Sequence, residues 1–531
     1  MERPINGGLS QENGVEQACL AETAVGAACY VQDAVQTKAK GDAVSFKKYG
    51  ALAVIFSILH TFCLYGNTSG ITYPFFMAGT LILIAFARKS DGLSLFKDRD
   101  GKSALNLFYI ISLMLLSISK CTTANESLLF VDGFAIFLLM FSFMTHLYAD
   151  TKQWDIISNL IGILLVVVSP LTNLPDPVLD CVECFRVGGA KVSSKNKQNL
   201  IAVLAGICVA VPLLSIVLAL LASADAIFSD VLGKVFGLFK LPDNFWDVIG
   251  ILWMLAWTLW LFYTVAKVLI KKGVTVENKN CGYNAIVAIT FSSLLAIVYL
   301  LFSVIQIVFL FMGNMTLPAK YTFAEYAHEG FYQLLAVSVL NLAIVTVCKK
   351  LFSENNVLKA ILTLIGVCTY IMIASSAFRM FMYIEAYHLT FLRVFVLWFL
   401  AVLAICLLFL IIGLYNDNFP VFKCCMIAMT AMYIVFVFAN PDYHVAKYDL
   451  AYMKNSGGTD SVGRYESSMT RYLTEEISED AVPAYVGNEE LLKLYETGLS
   501  DKRGYYEKDY KEIRKFNFSR YRAWKILYSG K

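Results

Sequence analysis

Charge is what this chain has least of. Lys, Arg, Asp and Glu make up 16% of its 531 residues, against 58% hydrophobic, whereas a soluble domain carries roughly 25% charged and 45–50% apolar residues. A formal net charge of +3 is too small to argue for a nucleic-acid partner. There is no glycine-rich phosphate loop, no HExxH and no visible inverted repeat, which removes the plainest signatures of nucleotide chemistry, zinc hydrolysis and repeat-built transport. No basic segment followed by an apolar run occurs in residues 1–45, a pattern that excludes a cleaved signal peptide and suggests a loose polar extension. Cys181-Val-Glu-Cys184 is the one loop cysteine pair with metal or redox spacing, and no second pair or histidines follow to complete a zinc site. Cysteines inside apolar runs, such as Cys63, Cys208, Cys348, Cys368 and Cys406, read as packing residues.

Uncharged apolar runs fill the chain instead. Residues 49–87 carry no charge and are broken by Gly66-Asn67-Thr68-Ser69-Gly70, which reads as a helical hairpin. Further runs follow at 105–119, 128–148, 154–170, 199–222, 247–268, 284–312, 330–348, 358–383, 392–415 and 421–439, giving twelve helices. A hydrocarbon core of about 30 Å takes about 20 residues of helix, and every backbone amide inside it must be satisfied within the segment. The fold expected is therefore an all-α polytopic integral membrane bundle of about 11–13 helices with a small helical C-terminal module. Its divisions are a polar extension at 1–48, N-terminal spans at 49–198, a core at 199–439 and a soluble module at 440–531.

Lys and Arg in short loops set orientation. Lys38, Lys40, Lys47 and Lys48, with Arg88, Lys89, Lys97, Arg99 and Lys102 after the second span, place the N-terminus in the cytoplasm. Lys267, Lys271, Lys272 and Lys279, then Lys349, Lys350 and Lys359, make two later loops cytoplasmic as well, and counting forward from them puts the tail outside. Twelve spans from an inside N-terminus put it inside. Either one segment between about 150 and 245 is miscounted, with 226–241 as an interfacial helix, or one charge cluster misleads; an odd number of spans is the favoured reading.

From Asn440 the composition changes to fifteen basic and fifteen acidic residues with no cysteine. Apolar residues at helical spacing, such as Met469, Tyr472 and Leu473 or Leu491, Leu494 and Tyr495, suggest a small bundle suited to a protein partner. The final basic and aromatic stretch, with Arg514, Lys515, Arg520 and Arg522 among Phe516, Phe518, Tyr521 and Trp524, reads as a solvated helix or a membrane-surface anchor.

Ionisable groups near or within spans need a partner or a cavity. Asp225 ends a long apolar run and suits a helix cap. Glu325, Tyr326, His328 and Glu329 join two spans, with Glu325, His328 and Glu329 on one helical face. Arg379, Glu385, His388 and Arg393 crowd the next turn, and Arg379 is placed to pair with an acid of the other turn. Glu325-Tyr-Ala-His328 and Glu385-Ala-Tyr-His388 share the Glu-x-x-His spacing of di-iron bundles, but the further glutamates such a site needs are not identifiable, and no cofactor is expected.

Ser223-Ala-Asp225-Ala-Ile-Phe228, Tyr321 to Leu335, Phe378-Arg379-Met380, Leu389-Thr390-Phe-Leu-Arg393, and Asn440-Pro-Asp442 with Ala446-Lys447-Tyr448 form an ordered series. Over residues 200–490 it resembles an uncharacterised bacterial multi-pass membrane family, the domain of unknown function numbered four-one-seven-three, close to its relative four-one-five-three. The resemblance implies a fold class and a cell-membrane location but no mechanism. It also implies Arg where His328 stands, Gly where His388 stands, and Arg and Asn where Lys447 and Asp449 stand. Three function classes follow: a membrane-anchored interaction, sensing or scaffolding protein first, a transporter or channel second, and a metal-dependent membrane enzyme third, with Asn440 and Asp442 among the polar residues to place.

Overall fold

The computed structural model describes residues 42–90, 92, 94–96, 104–151, 154–187, 210, 213–214, 217–218, 220–231, 245–276, 282–308, 323–455, 468–498 and 512–528. Helices α1 (Ala43–Leu64), α2 (Thr72–Ser90), α3 (Ala104–Thr122), α4 (Glu126–Tyr148), α5 (Ile156–Thr172) and α6 (Asp176–Val187) come first. They are followed by α7 (Phe245–Lys267), α8 (Ala285–Gln306), α9 (Phe323–Leu351), α10 (Asn356–Tyr387), α11 (Phe391–Tyr415) and α12 (Val421–Phe438). Short helices α13 (Pro441–Asn455), α14 (Glu489–Gly498) and α15 (Phe518–Tyr528) close the chain, with a 3-10 turn at Glu479–Tyr485 between the first two. Among the described residues nine helices are long and apolar enough to cross a membrane, or up to ten if α5 and the start of α6, bent by 60° at their junction, form one span. Most of the run at 199–222 and residues 1–41 lie outside the described residues.

The chain divides into two compact units, Met1–Ala53 with Leu171–Ile249, and Val54–Pro170 with Gly250–Lys531. In the first, the backbone N–H of Asp42 donates to Asp180 Oδ1 at 2.6 Å. Asp225 lies in an exposed break between helical residues 220–224 and 226–231, and its carboxylate accepts from Ile227 N at 2.8 Å, a cap for the second piece.

The second unit is a bundle built in layers. Met77, Leu113, Leu128, Phe143 and Phe436 join α2, α3, α4 and α12 in one core, and Val345, Leu362 and Ile365 join α9 to α10 in another that includes Ala288 of α8. Its outer surface is apolar. On α8, Leu294, Ile297, Val298 and Leu301 are 60–64% exposed at helical spacing, a stripe that water would penalise and lipid tails accept.

Helix ends gather at two poles. The turns at 65–71, 123–125 and 388–390 meet residues of 440–528 at one pole, called here the cap end: Ile71 N donates to Phe516 O at 2.9 Å, and Ala124 N to Asp480 Oδ1 at 2.8 Å. The other pole is the lysine end, where Lys350 pairs with Asp155 at 2.9 Å and Lys349 with Asp417 at 3.1 Å. Helix α4 finishes at the lysine end. Helix α7 begins at the cap end, since a Cβ on Gly250 would stand 2.6 Å from Tyr65 Oη, and it finishes beside Tyr148 and Trp154 through Val265 and Leu269. Asp155 thus stands at the lysine end and Gly250 at the cap end. Against the twelve helices expected from run counting, nine, or up to ten, are long and apolar enough to span among the described residues.

Candidate functional site

The composition marks residues 440–528 as a helical C-terminal module. They fall in the same compact unit as the spans. Their core, including Val445, Leu473, Val482, Tyr485 and Tyr495, also receives Leu389 and Val394 of the bundle. The first residues of the basic aromatic stretch are tied to the bundle through their backbone: Asn67 Nδ2 and Ile71 N donate to the carbonyls of Arg514 and Phe516 at 3.0 and 2.9 Å, and Asn517 is buried.

Three buried aspartates fasten this cap to the bundle. Asp480 accepts from Thr123 Oγ1 at 2.5 Å, from Ala124 N at 2.8 Å and from Ser519 Oγ. Asp442 accepts from Asn125 Nδ2 at 2.8 Å and from Ser478 Oγ, while Asn125 Oδ1 caps α4 through Leu128 N at 3.0 Å. Asp449 accepts from Leu389 N at 3.1 Å, and its other oxygen stands 3.7 Å from His388 Nδ1. Tyr472 completes that attachment by accepting the N–H of Phe391 at 2.8 Å. Burial pushes the Asp442 carboxyl up to about 6, that of Asp449 to about 7, and that of Asp480 upward. His388 is pushed down by burial.

The turn these groups hold has a cost in backbone conformation. His388 has φ 64° and ψ 176°, a region where glycine is at ease and other residues are strained, while Asn440 at φ 51° is a residue that tolerates the left-handed region. This gives a physical reason for the glycine that the resemblance implies at 388, and an asparagine at 449 would accept the same Leu389 N–H. Arg393 closes the turn, donating to Tyr387 O at 2.7 Å and to His388 O, with its guanidinium 4.2 Å from the Tyr383 ring centroid.

A second polar group lies deeper. Ser375 Oγ and Arg379 Nη2 donate to Gln306 Oε1 at 2.6 and 3.3 Å, joining α10 to α8. The guanidinium occupies the space above Gly330, where a Cβ would meet Nη1 at 1.6 Å, so the start of α9 and the end of α10 are brought together. The side chains of Glu325, Tyr326, His328 and Glu329 lie outside the described residues. Glu385 is exposed, and His388 follows the end of α10 rather than sharing its face, so the second Glu-x-x-His does not present both groups from one helix. Among the described residues no three His, Cys, Asp or Glu side chains are grouped to hold a metal. Cys181 and Cys184 are free thiols within α6.

Sequence reading missed Asp132 and Lys120. Asp132, fully buried on α4, accepts from Ser119 Oγ at 2.5 Å and Tyr433 Oη at 2.8 Å, and Lys120 Nζ donates to Leu129 O. Their charge inside apolar runs was the available signal.

Fold and site together define an all-α polytopic membrane bundle carrying a helical cap on buried carboxylates. Residues 110–487 match the family described as Domain of unknown function (DUF4153), and the chain belongs to that family. No curated protein and no solved structure matches it.

Proposed function

We propose that this is a membrane-anchored interaction, sensing or scaffolding protein whose bundle holds the cap at one membrane surface. The observation that carries the reading is where the charges are. Asp442, Asp449 and Asp480 stand at the junction of cap and bundle. Asp132 and Arg379 lie within about 12 Å of the cap-end termini of their helices at 1.5 Å per residue. Deeper contacts use neutral groups, such as Asn341 Nδ2 to Thr369 Oγ1 at 2.9 Å. A solute path would be expected to bring charges to the middle instead.

Lys349, Lys350, Lys359 and Lys423 share the lysine end, which supports a cytoplasmic lysine end and a cap on the opposite side. The cap offers Tyr448, Tyr452, Val486 and Ile513 at 48–80% exposure, side chains of the kind that protein interfaces use. Transport is the second reading, resting on the Arg379–Gln306–Ser375 group.

Photo-reactive residues at Tyr452 and Val486 test the choice in the full chain. The scaffold reading expects one protein adduct at these positions, none from Leu294 on the lipid-facing stripe, and no solute flux in proteoliposomes. Flux abolished by Gln306→Ala, with no cap adduct, would make the protein a transporter.

A further inference from the structure

The lysine end encloses a cavity of about 550 Å³, within the size range of small-ligand sites. Five helix ends wall it: the starts of α5, α10 and α12 and the last turns of α9 and α11. Lys349, Lys350, Lys359 and Lys423 line it against Asp155, Glu354 and Asp417. Each carboxylate engages one lysine, Asp417 with Lys349 at 3.1 Å, Asp155 with Lys350 at 2.9 Å and Glu354 with Lys359 at 3.0 Å. Lys423 is the surplus positive charge in that count.

Backbone polarity adds to it. Asp155 caps α5 through Ser158 N at 2.8 Å and Asn355 caps α10 through Val357 N at 2.8 Å. Helix α12 starts after Pro420 with no side-chain cap, and Phe422 and Lys423 of its first turn are on the cavity wall. The positive end of that helix and the Lys423 ammonium thus face one space. Val345, Leu362, Leu410 and Leu414 supply an apolar part of the wall, beside polar groups such as Asn159 and Ser353. Trp154 is fixed beside it, its ring lying so close over α5 that a Cβ on Gly162 would stand 2.4 Å away.

We propose that this cavity binds a phosphate-bearing anion, with the apolar wall suiting it to the headgroup and upper chain of an acidic phospholipid. Lysine is a point-charge partner for phosphate, and basic pockets between spans are where anionic headgroups bind.

The test uses the full chain in neutral detergent, titrated separately with phosphatidylglycerol, phosphatidylcholine and inorganic phosphate, with binding read by native mass spectrometry and unfolding temperature. Phosphatidylglycerol is expected to bind at least about tenfold more tightly than phosphatidylcholine. Lys423→Gln, which breaks none of the three ion pairs, should weaken it about tenfold, Lys423→Arg should restore it, and Lys447→Gln on the exposed cap surface should leave it unchanged. Equal affinity for the two lipids, or none lost in Lys423→Gln, overturns the proposal. Inorganic phosphate binding as tightly as phosphatidylglycerol, with the same dependence on Lys423, keeps the anion site and overturns the lipid as its occupant.

Discussion

Asp480 and Ala124 are 356 residues apart in sequence, and the carboxylate of one accepts the backbone N–H of the other at 2.8 Å. The loop between α3 and α4 thereby becomes part of the cap's own hydrogen-bond network, and neither piece satisfies its polar groups alone.

Asp480→Ala tests that dependence. It leaves Ala124 N–H and the Thr123 and Ser519 hydroxyls without their shared acceptor in a buried place. An unsatisfied buried donor costs about 1–3 kcal/mol, so a loss of about 3 kcal/mol or more is expected in detergent unfolding. Asp480→Asn, which keeps one carbonyl acceptor, should lose less.

Asp449 makes the cap sensitive to pH. Its folded carboxyl sits near 7 and that of Asp442 near 6, both raised by burial, above the unfolded value of about 3.9. The fold thus binds protons that the unfolded chain has released. Their contribution to stability is complete below about pH 4 and is lost as pH rises through 6 to 7. His388, pushed down by burial, acts in the opposite sense in acid. Asp449→Asn keeps an acceptor for Leu389 N–H and removes the titration. Its unfolding temperature should gain on that of the natural chain steadily between pH 4 and 7; a constant difference across that range would contradict this account.

His388 carries backbone strain at φ 64°. A non-glycine residue in such a region costs about 1–3 kcal/mol. His388→Gly should therefore hold or raise the unfolding temperature despite losing the contact with Asp449, whereas β-branched His388→Val should lower it. A fall with glycine as large as that with valine would show that the imidazole, not the backbone, decides the turn.

Much of the fold was legible because its cause is local. Apolar runs of span length, the break at Gly66 to Gly70 and the cap formed by Asp225 need only neighbouring residues to be read. The placement of α7 was not: it depends on Gly250 lying against Tyr65 and on Val265 meeting Tyr148, contacts no window contains. The site divides the same way. His388, Arg393, Asn440 and Asp442 drew attention because they stand at breaks between helices, while Asp449 and Asp480 resemble any acid of a wet helix until Leu389 and Ala124 are brought to them. Asp132 and Lys120 were the exceptions, visible as charges in apolar sequence and overlooked.

The two poles give the most direct measurement. Glu490→Cys lies in the exposed cap and Asn418→Cys in an exposed turn at the lysine end. Intact cells are treated with a membrane-impermeant maleimide, with the natural chain alongside to set the background of its own thiols. Labelling of Glu490→Cys without permeabilisation, and of Asn418→Cys only after it, is the predicted result. Labelling of both from the same side would contradict a cap held opposite the lysine end.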